Sequence, residues 1–216
     1  TWTLSGSNTY TGKTTVSANM ARVFGEPIHL LDCDVEEPND HLFLKASLGE
    51  QETVSIPIPQ VDEALCDACG ECGKFCEYHA IVSFGAKPLV FPELCHGCGG
   101  CASVCHARAI SESGRRIGVI ETLHAGDITL IQGRLDVGAA MAPPLIREVK
   151  RRLQAGIPAI LDAPPGTSCP MITAVKGSDY TVLVTEPTPF GLHDLTLAVK
   201  TMRKTGWTTW TAIARW

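Results

Sequence analysis

The chain has no apolar run approaching the roughly 20 residues that a bilayer-spanning helix needs, which argues against a membrane protein. It shows no signal peptide and starts at Thr1 without a methionine, as a trimmed chain would. A basic excess is missing too: 18 Lys and Arg stand against 23 Asp and Glu, a net charge of −5. Neutralising a phosphate backbone takes clustered cations, so nucleic acid is not the expected main partner. The local run "REVKRR", Arg147 to Arg152, reads as a solvated helix face. Glycines are absent where a phosphate-binding loop would use them, at Ser7-Asn8-Thr9-Tyr10, just ahead of Gly12-Lys13-Thr14-Thr15.

Cysteine, by contrast, is abundant. Eight of the ten cysteines fall between Cys66 and Cys105, as two runs of identical C-x2-C-x2-C-x3-C spacing. The runs are Cys66, Cys69, Cys72, Cys76 and Cys95, Cys98, Cys101, Cys105. This is the spacing of bacterial two-cluster ferredoxins, in which the fourth cysteine of each run serves the other cluster. It predicts one [4Fe–4S] cluster on Cys66, Cys69, Cys72 and Cys105, and a second on Cys95, Cys98, Cys101 and Cys76. Zinc sites prefer paired C-x2-C hooks, and a disulfide knot would not explain the doubled spacing. The proline that usually follows the fourth cysteine is replaced by Glu77 and His106. That proline ligates nothing, so a ferredoxin-like unit is expected over about 60–112.

On either side the pattern alternates strands and helices. "PIHLLDCDVEEPND" reads as a buried strand, Ile28 to Leu31, delivering Asp32 and Asp34 at its end. "IPAILDAPPG" delivers Asp162, and "YTVLVTEPTPFGLHDL" gives a strand over Thr181 to Thr185, then a helix from about Leu192 to Lys204. "APPLIREVKRRLQAG" reads as a helix with Leu145, Ile146, Val149 and Leu153 on one face and a stop at Gly156. The fold class is therefore α/β, a mainly parallel sheet covered by helices on both faces. Ligands of such sheets bind beyond the carboxyl ends of the strands, where Asp32, Asp34 and Asp162 emerge. Amides from Gly12 to Thr15 open a helix and form an anion site. Lys13 suits β- and γ-phosphates, the Thr14 hydroxyl suits Mg2+, and a strand-end Asp completes the metal shell.

With "TGKTTVSANMA", "LLDCDVEEPND", the two cysteine runs, "ILDAPPGTSCP" and "VTEPTPFGLHDL", the chain resembles the MinD/ParA-type P-loop ATPases with a deviant phosphate loop. More narrowly, it resembles the subgroup with an inserted ferredoxin domain. The resemblance implies an ATPase unit formed by 1–59 and 113–216, interrupted by the 60–112 insert. It implies ATP held by Lys13 and Thr14, Mg2+ supported by Asp32 and Asp162, and Asp34 positioning or activating the attacking water. It further implies a homodimer, or a heterodimer with a related ATPase. In the family loop a signature lysine reaches across the dimer to the partner's nucleotide, and here Asn8 stands in its place. Such a trans cation contributes about 10^3 or more in rate, so slow hydrolysis is expected. Thr9 and Tyr10 replace glycines, where a positive φ costs roughly 1–2 kcal/mol per residue. Family members continue past "TGWTTWTAIARW", with an adenine-recognising Asn near Ala214, so the chain is expected to be truncated there.

Cys33 is expected to pack in the core, and Cys169 lies near the phosphate site. His96 and His106 flank cluster cysteines, where they could tune potential or simply face solvent. His193 is expected to cap or pack. Three functions compete. One is an ATPase whose nucleotide cycle is coupled to electron transfer or cluster handling. Another is an electron-transfer subunit on a non-hydrolysing ATPase scaffold, and the third is a positioning factor. The first explains why nucleotide-site aspartates and a cluster unit share a chain. It implies a redox protein partner and, because the thiols must stay reduced, a cytoplasmic location in an anaerobe.

Overall fold

The computed structural model describes residues 2–5, 12–84, 87–139, 141–206 and 209–213. Ser7, Asn8, Thr9, Tyr10 and Ala214 lie outside that set. The chain runs β1 (Trp2–Ser5), α1 (Lys13–Val23), β2 (Ile28–Asp32), α2 (Asp40–Leu44) and β3 (Ser47–Val61). The cysteine-rich segment follows, with α3 (Glu71–Phe75), β4 (Ile81–Val82), β5 (Leu89–Val90) and α4 (Gly100–Ser103). Then come β6 (Ile110–Ala125), β7 (Ile128–Leu135), α5 (Ala142–Arg151) and β8 (Ala159–Asp162). The chain closes through α6 (Cys169–Val175), β9 (Tyr180–Thr185), α7 (Pro189–Thr205) and β10 (Thr209–Ile213).

Eight strands form one sheet in the order β10-β9-β1-β8-β2-β7-β6-β3. From β10 to β7 every pairing is parallel, while β6 and β3 continue it antiparallel. The sheet is mainly parallel, as expected, with an antiparallel edge. A tight turn at Gly126, whose φ is 61°, joins β6 to β7, and so short a link permits only antiparallel pairing. β2 shows why both faces carry helices. Its Ile28 and Leu30 join a core with Ala18 and Ala21 of α1, whereas Leu31 and Cys33 join Leu145, Ile146 and Val149 of α5. Cys33 packs in the core, as expected.

β3 and β6 were not legible as strands. The first half of each, 47–53 and 110–116, is largely exposed, so no continuous apolar run marks either strand throughout. Pro57 and Pro59 also look strand-breaking, yet β3 is the edge of the sheet. Residues two apart point their missing N–H groups to the same side, which an edge leaves unpaired. The ribbon pairs Ser47 with His124 and continues to Val61 opposite Ile110. The boundaries expected at 59/60 and 112/113 therefore fall inside β3 and β6, and the cysteine-rich segment hangs from the ribbon's end.

Two helix ends differ from expectation. α7 starts at Pro189 rather than Leu192, because Thr188 Oγ1 accepts the Gly191 amide at 3.0 Å and proline occupies the first turn. α5 stops at Arg151 rather than near Gly156, with the Leu153 amide bonded to the Lys150 carbonyl at 3.2 Å. The basic run on α5 is not merely solvated. Lys150 Nζ donates to the carbonyls of Thr173, Ala174 and Lys176 at 3.1, 2.6 and 2.5 Å, capping α6. Arg151 pairs with Glu148, and Arg152 reaches Glu52 at 2.6 Å. No helix among the described residues is long and apolar enough to cross a membrane.

α5 lies against β6 and β7 only because Gly118 and Gly133 face it. A Cβ on Gly133 would stand 2.6 Å from Val35 Cγ1 and 2.9 Å from Val149 Cγ2. Gly133→Ala is expected to lower stability by about 1–3 kcal/mol in urea unfolding. Gly114→Ala is the control. Its added carbon would meet only Ser55 Cβ, at 3.6 Å, and should change little.

Candidate functional site

The carboxyl ends of β2 and β8 are adjacent and in parallel register, which sets Asp32 directly beside Asp162. Both side chains are buried. α1 begins opposite them: Gly12 takes φ 70° at its N-cap, and its carbonyl accepts the Val16 amide at 3.0 Å. Thr14 Oγ1 donates to Asp162 Oδ2 at 2.7 Å. Thr15 follows in the first turn, half-buried. The Lys13 side chain is buried against the same carboxylates. Burial lowers its pKa, and the charges of Asp162 and Asp34 oppose that shift. Asp162 Oδ1 is buried with no hydrogen-bond partner among the described residues. A buried carboxylate oxygen left unpaired is costly and fits a cation, so this site suits a divalent ion beside Thr14.

Asp32 is placed differently. Its Oδ1 accepts the Asp34 amide at 3.1 Å, and its Oδ2 accepts the amides of Asn39 and Asp40 at 2.8 and 3.1 Å. Asp32 therefore ties down the loop between β2 and α2, and its pKa is raised by burial and by Asp162. Asp34 lies on that loop, partly exposed, with its pKa raised to about 6, chiefly by burial. Asp40 escaped the sequence reading. It is fully buried, accepts Ser17 Oγ at 3.3 Å on Oδ1, and leaves Oδ2 without a partner among the described residues. The signal was the last Asp in "DCDVEEPND", placed where a helix commonly starts with an acid.

All ten cysteines are free thiols. Cys76, Cys95, Cys98 and Cys101 line one cavity of about 370 Å³, together with Pro57, Phe75, Tyr78 and His96. Cys66, Cys69, Cys72 and Cys105 line another, tighter one of about 20 Å³. Four of the eight cysteines thus line each cavity. The backbone repeats as well: Ala68 and Gly70 have φ 59° and 78°, while Gly97 and Gly99 have 64° and 71°. Amides turn toward sulfur, with Gly97 N 3.4 Å from Cys95 Sγ and Ala109 N 3.3 Å from Cys105 Sγ. Each set of four cysteines, with one amide donating to a sulfur in it, could hold a metal or cluster only if the smaller space widens. His106 Nε2 lies 2.8 Å from Asp67 Oδ2, and both are exposed. His96 stacks on Tyr78, with ring centroids 3.4 Å apart and planes 13° from parallel.

Two further cavities lie between the thiols and the aspartates. One of about 520 Å³ is lined by Cys33, Asp34, Glu36, Glu37 and Pro164, among others. The other, about 370 Å³, is a groove lined by Glu36, Tyr78, His96, Met141 and Cys169, among others. Cys169 is exposed at the start of α6, and His193 is exposed on α7, where it neither caps nor packs.

No protein-family model matches the chain. The uncharacterized protein MJ0578 of Methanocaldococcus jannaschii is 32% identical over 200 residues, covering 88% of this chain and 69% of its own length. The uncharacterized protein MJ0579 of the same organism is 30% identical over 199 residues, covering 90% of this chain and 72% of its own. Among solved structures, the septum site-determining protein MinD of Pyrococcus horikoshii, complexed with Mg-ADP, aligns with a TM-score of 0.52 at 18% identity. The alignment covers 96% of this chain and 66% of that one, just under two thirds. A putative plasmid partition protein of Borrelia burgdorferi, bound to AMPPNP, gives 0.52 at 12% identity, covering 100% of this chain and 74% of that one. The chain has the fold of the MinD/ParA-type P-loop ATPases.

The carboxyl of Asp162, like that of Asp34, is pushed up to about 6 in this metal-free site, mainly by burial. A folded-state value above the ordinary 3.8 means that the folded protein keeps a proton the unfolded chain releases. The associated stability is complete below about pH 4 and is lost as pH rises through about 6. Metal-free protein should therefore melt at lower temperature at pH 7.5 than at pH 5. Asp162→Asn, which keeps an acceptor for Thr14, should flatten that dependence. Thermal unfolding across the pH range in chelator measures both.

Proposed function

The chain belongs to the same family as these two archaeal proteins, and we propose that it is an ATP-binding iron–sulfur protein. Its nucleotide cycle is coupled to electron transfer or cluster handling through two [4Fe–4S] clusters. One observation carries this reading. Eight thiols gather as two crossed sets of four on a fold whose nucleotide end presents Lys13, Thr14 and a partnerless Asp162 oxygen. Reduced thiols in such number suit a cytoplasmic, anaerobic setting.

The residues divide the work. The amides of Gly12 to Thr15 at the start of α1 receive phosphate oxygens, and Lys13 supplies the cation. Thr14 Oγ1, which donates to Asp162 Oδ2, and the other oxygen of Asp162 would hold Mg2+. That ion would neutralise charge on the β- and γ-phosphates. Asp32 acts from behind, fixing through its backbone bonds the loop that carries Asp34. Asp34, poised near neutrality by burial, accepts a hydrogen bond from the attacking water and orients it. Cys66, Cys69, Cys72 and Cys105 hold one cluster, and Cys76, Cys95, Cys98 and Cys101 hold the other. Bound clusters supply low-potential one-electron carriers. Residues 60–112 form the cluster-bearing insert of an ATPase unit made of 1–59 and 113–216. The active assembly is a dimer, with itself or with a related ATPase, that meets a redox protein. Asn8 in place of a trans lysine makes hydrolysis slow, and a non-hydrolysing scaffold is the second reading, favoured by the same residue.

Anaerobic protein should hold about eight iron atoms and give a [4Fe–4S] EPR signal on reduction. Cys105→Ser should damage one cluster and spare the other. Lys13→Ala should abolish Mg-ATP binding in calorimetry. Stoichiometric zinc without iron would overturn the cluster assignment, and no binding at millimolar nucleotide would leave a cluster-bearing scaffold.

A further inference from the structure

We propose that the groove between the cysteine-rich segment and the nucleotide end is a coupling element that acts on one cluster only. Nucleotide held at Lys13 and Thr14 shifts the reduction potential of the cluster on Cys76, Cys95, Cys98 and Cys101, and leaves the other nearly unchanged. This rests on the functional reading above and names its route.

The route is a chain of shared walls. Tyr78 and His96, stacked on one another, line both the cavity of that thiol set and the groove. Glu36, Ala142 and Pro170 line both the groove and the cavity at Asp34. Glu36 sits two residues beyond Asp34, and its charge acts on Asp34 directly. The groove thus has one wall on the loop that Asp32 holds at the nucleotide site, and the opposite wall beside two cluster cysteines.

The second observation is an asymmetry between the two thiol sets. The set containing Cys95 is anchored to the main sheet. Gly97 leaves a Cβ only 3.2 Å from Ile56 and from Pro57 of β3, and Arg115 of β6 donates to the Pro92 carbonyl at 2.6 Å. The other thiol cavity is lined by residues from Cys66 to Ile110, of which only Ile110, at the start of β6, belongs to the main sheet. Cluster potentials respond to nearby charge, hydrogen bonds to sulfur and solvent access. A shift of the loop bearing Glu36 alters the charge and water beside Tyr78 and His96, and so reaches one cluster and not its neighbour.

Linkage makes this measurable from both ends. A potential that moves on nucleotide binding requires nucleotide affinity to differ by the equivalent factor between oxidised and reduced protein. A tenfold ratio corresponds to about 59 mV for a one-electron couple. The test is an EPR-monitored redox titration of the iron-replete full chain, with and without Mg-ATP. Cys105→Ser, which lacks a ligand to the other cluster, identifies the signal of the Cys95 set. The expected result is a shift equivalent to at least tenfold in affinity for that signal alone. It should be largely lost in Tyr78→Leu and in Glu36→Gln, with iron content and nucleotide binding retained. Equal shifts of both signals, no shift with both clusters loaded and nucleotide bound, or a full shift in Glu36→Gln would overturn it. Glu36 is remote in sequence from every cluster cysteine, so that variant decides the matter even if Tyr78→Leu loses iron. Protein that takes up no iron, or binds no nucleotide, overturns the functional reading itself and this inference with it.

Discussion

Two buried carboxylates side by side, Asp32 and Asp162, are the constraint on which the nucleotide end depends. The parallel register of β2 with β8 forces them together, and Asp40 adds a third buried acid within reach. Burial raises the pKa of all three, Asp162 raises that of Asp32, and both raise that of Asp40. The arrangement is tolerable because Asp32 is spent on three backbone amides, while Thr14 and Lys13 face Asp162. What remains is an Asp162 oxygen without a hydrogen-bond partner among the described residues.

The ribbon of β3 and β6 plays the corresponding part for the cysteines. It carries the thiols away from the sheet yet keeps one set near it, because Ile56 and Pro57 pack against the Gly97 turn. Edge strands tend to recruit other chains, and Pro57 and Pro59 blunt this one by removing N–H groups from its outer side. The two sets of thiols are alike in spacing and in backbone, as the matching left-handed positions Ala68, Gly70, Gly97 and Gly99 show. They differ in what stands next to them, which local sequence does not record.

Much was legible where a local rule dictates the outcome. The repeated C-x2-C-x2-C-x3-C spacing was legible because it lies within a dozen residues, and each run begins a similar turn. The strands ending in Asp32 and Asp162 were legible because a strand buried on both faces is a continuous apolar run. β3 and β6 were not, because an edge ribbon half in solvent has no such run and its prolines argue against a strand. Asp40 was not, because an acid at a helix start is common, and only the packing of α1 on α2 buries this one.

By itself, then, the sequence determined the α/β class, the strands that end in Asp32 and Asp162 and the two like-spaced cysteine runs. Each is a matter of short-range spacing or of a continuous apolar run. Tertiary structure alone decided that Asp32 braces a loop while Asp162 faces Thr14, since strand register sets which carboxylate has oxygens left. It also decided that Tyr78 and His96 stack in the wall between a thiol cavity and a groove shared with Glu36. Those residues are far apart along the chain, and only the folding of the ribbon against the sheet brings them within contact distance.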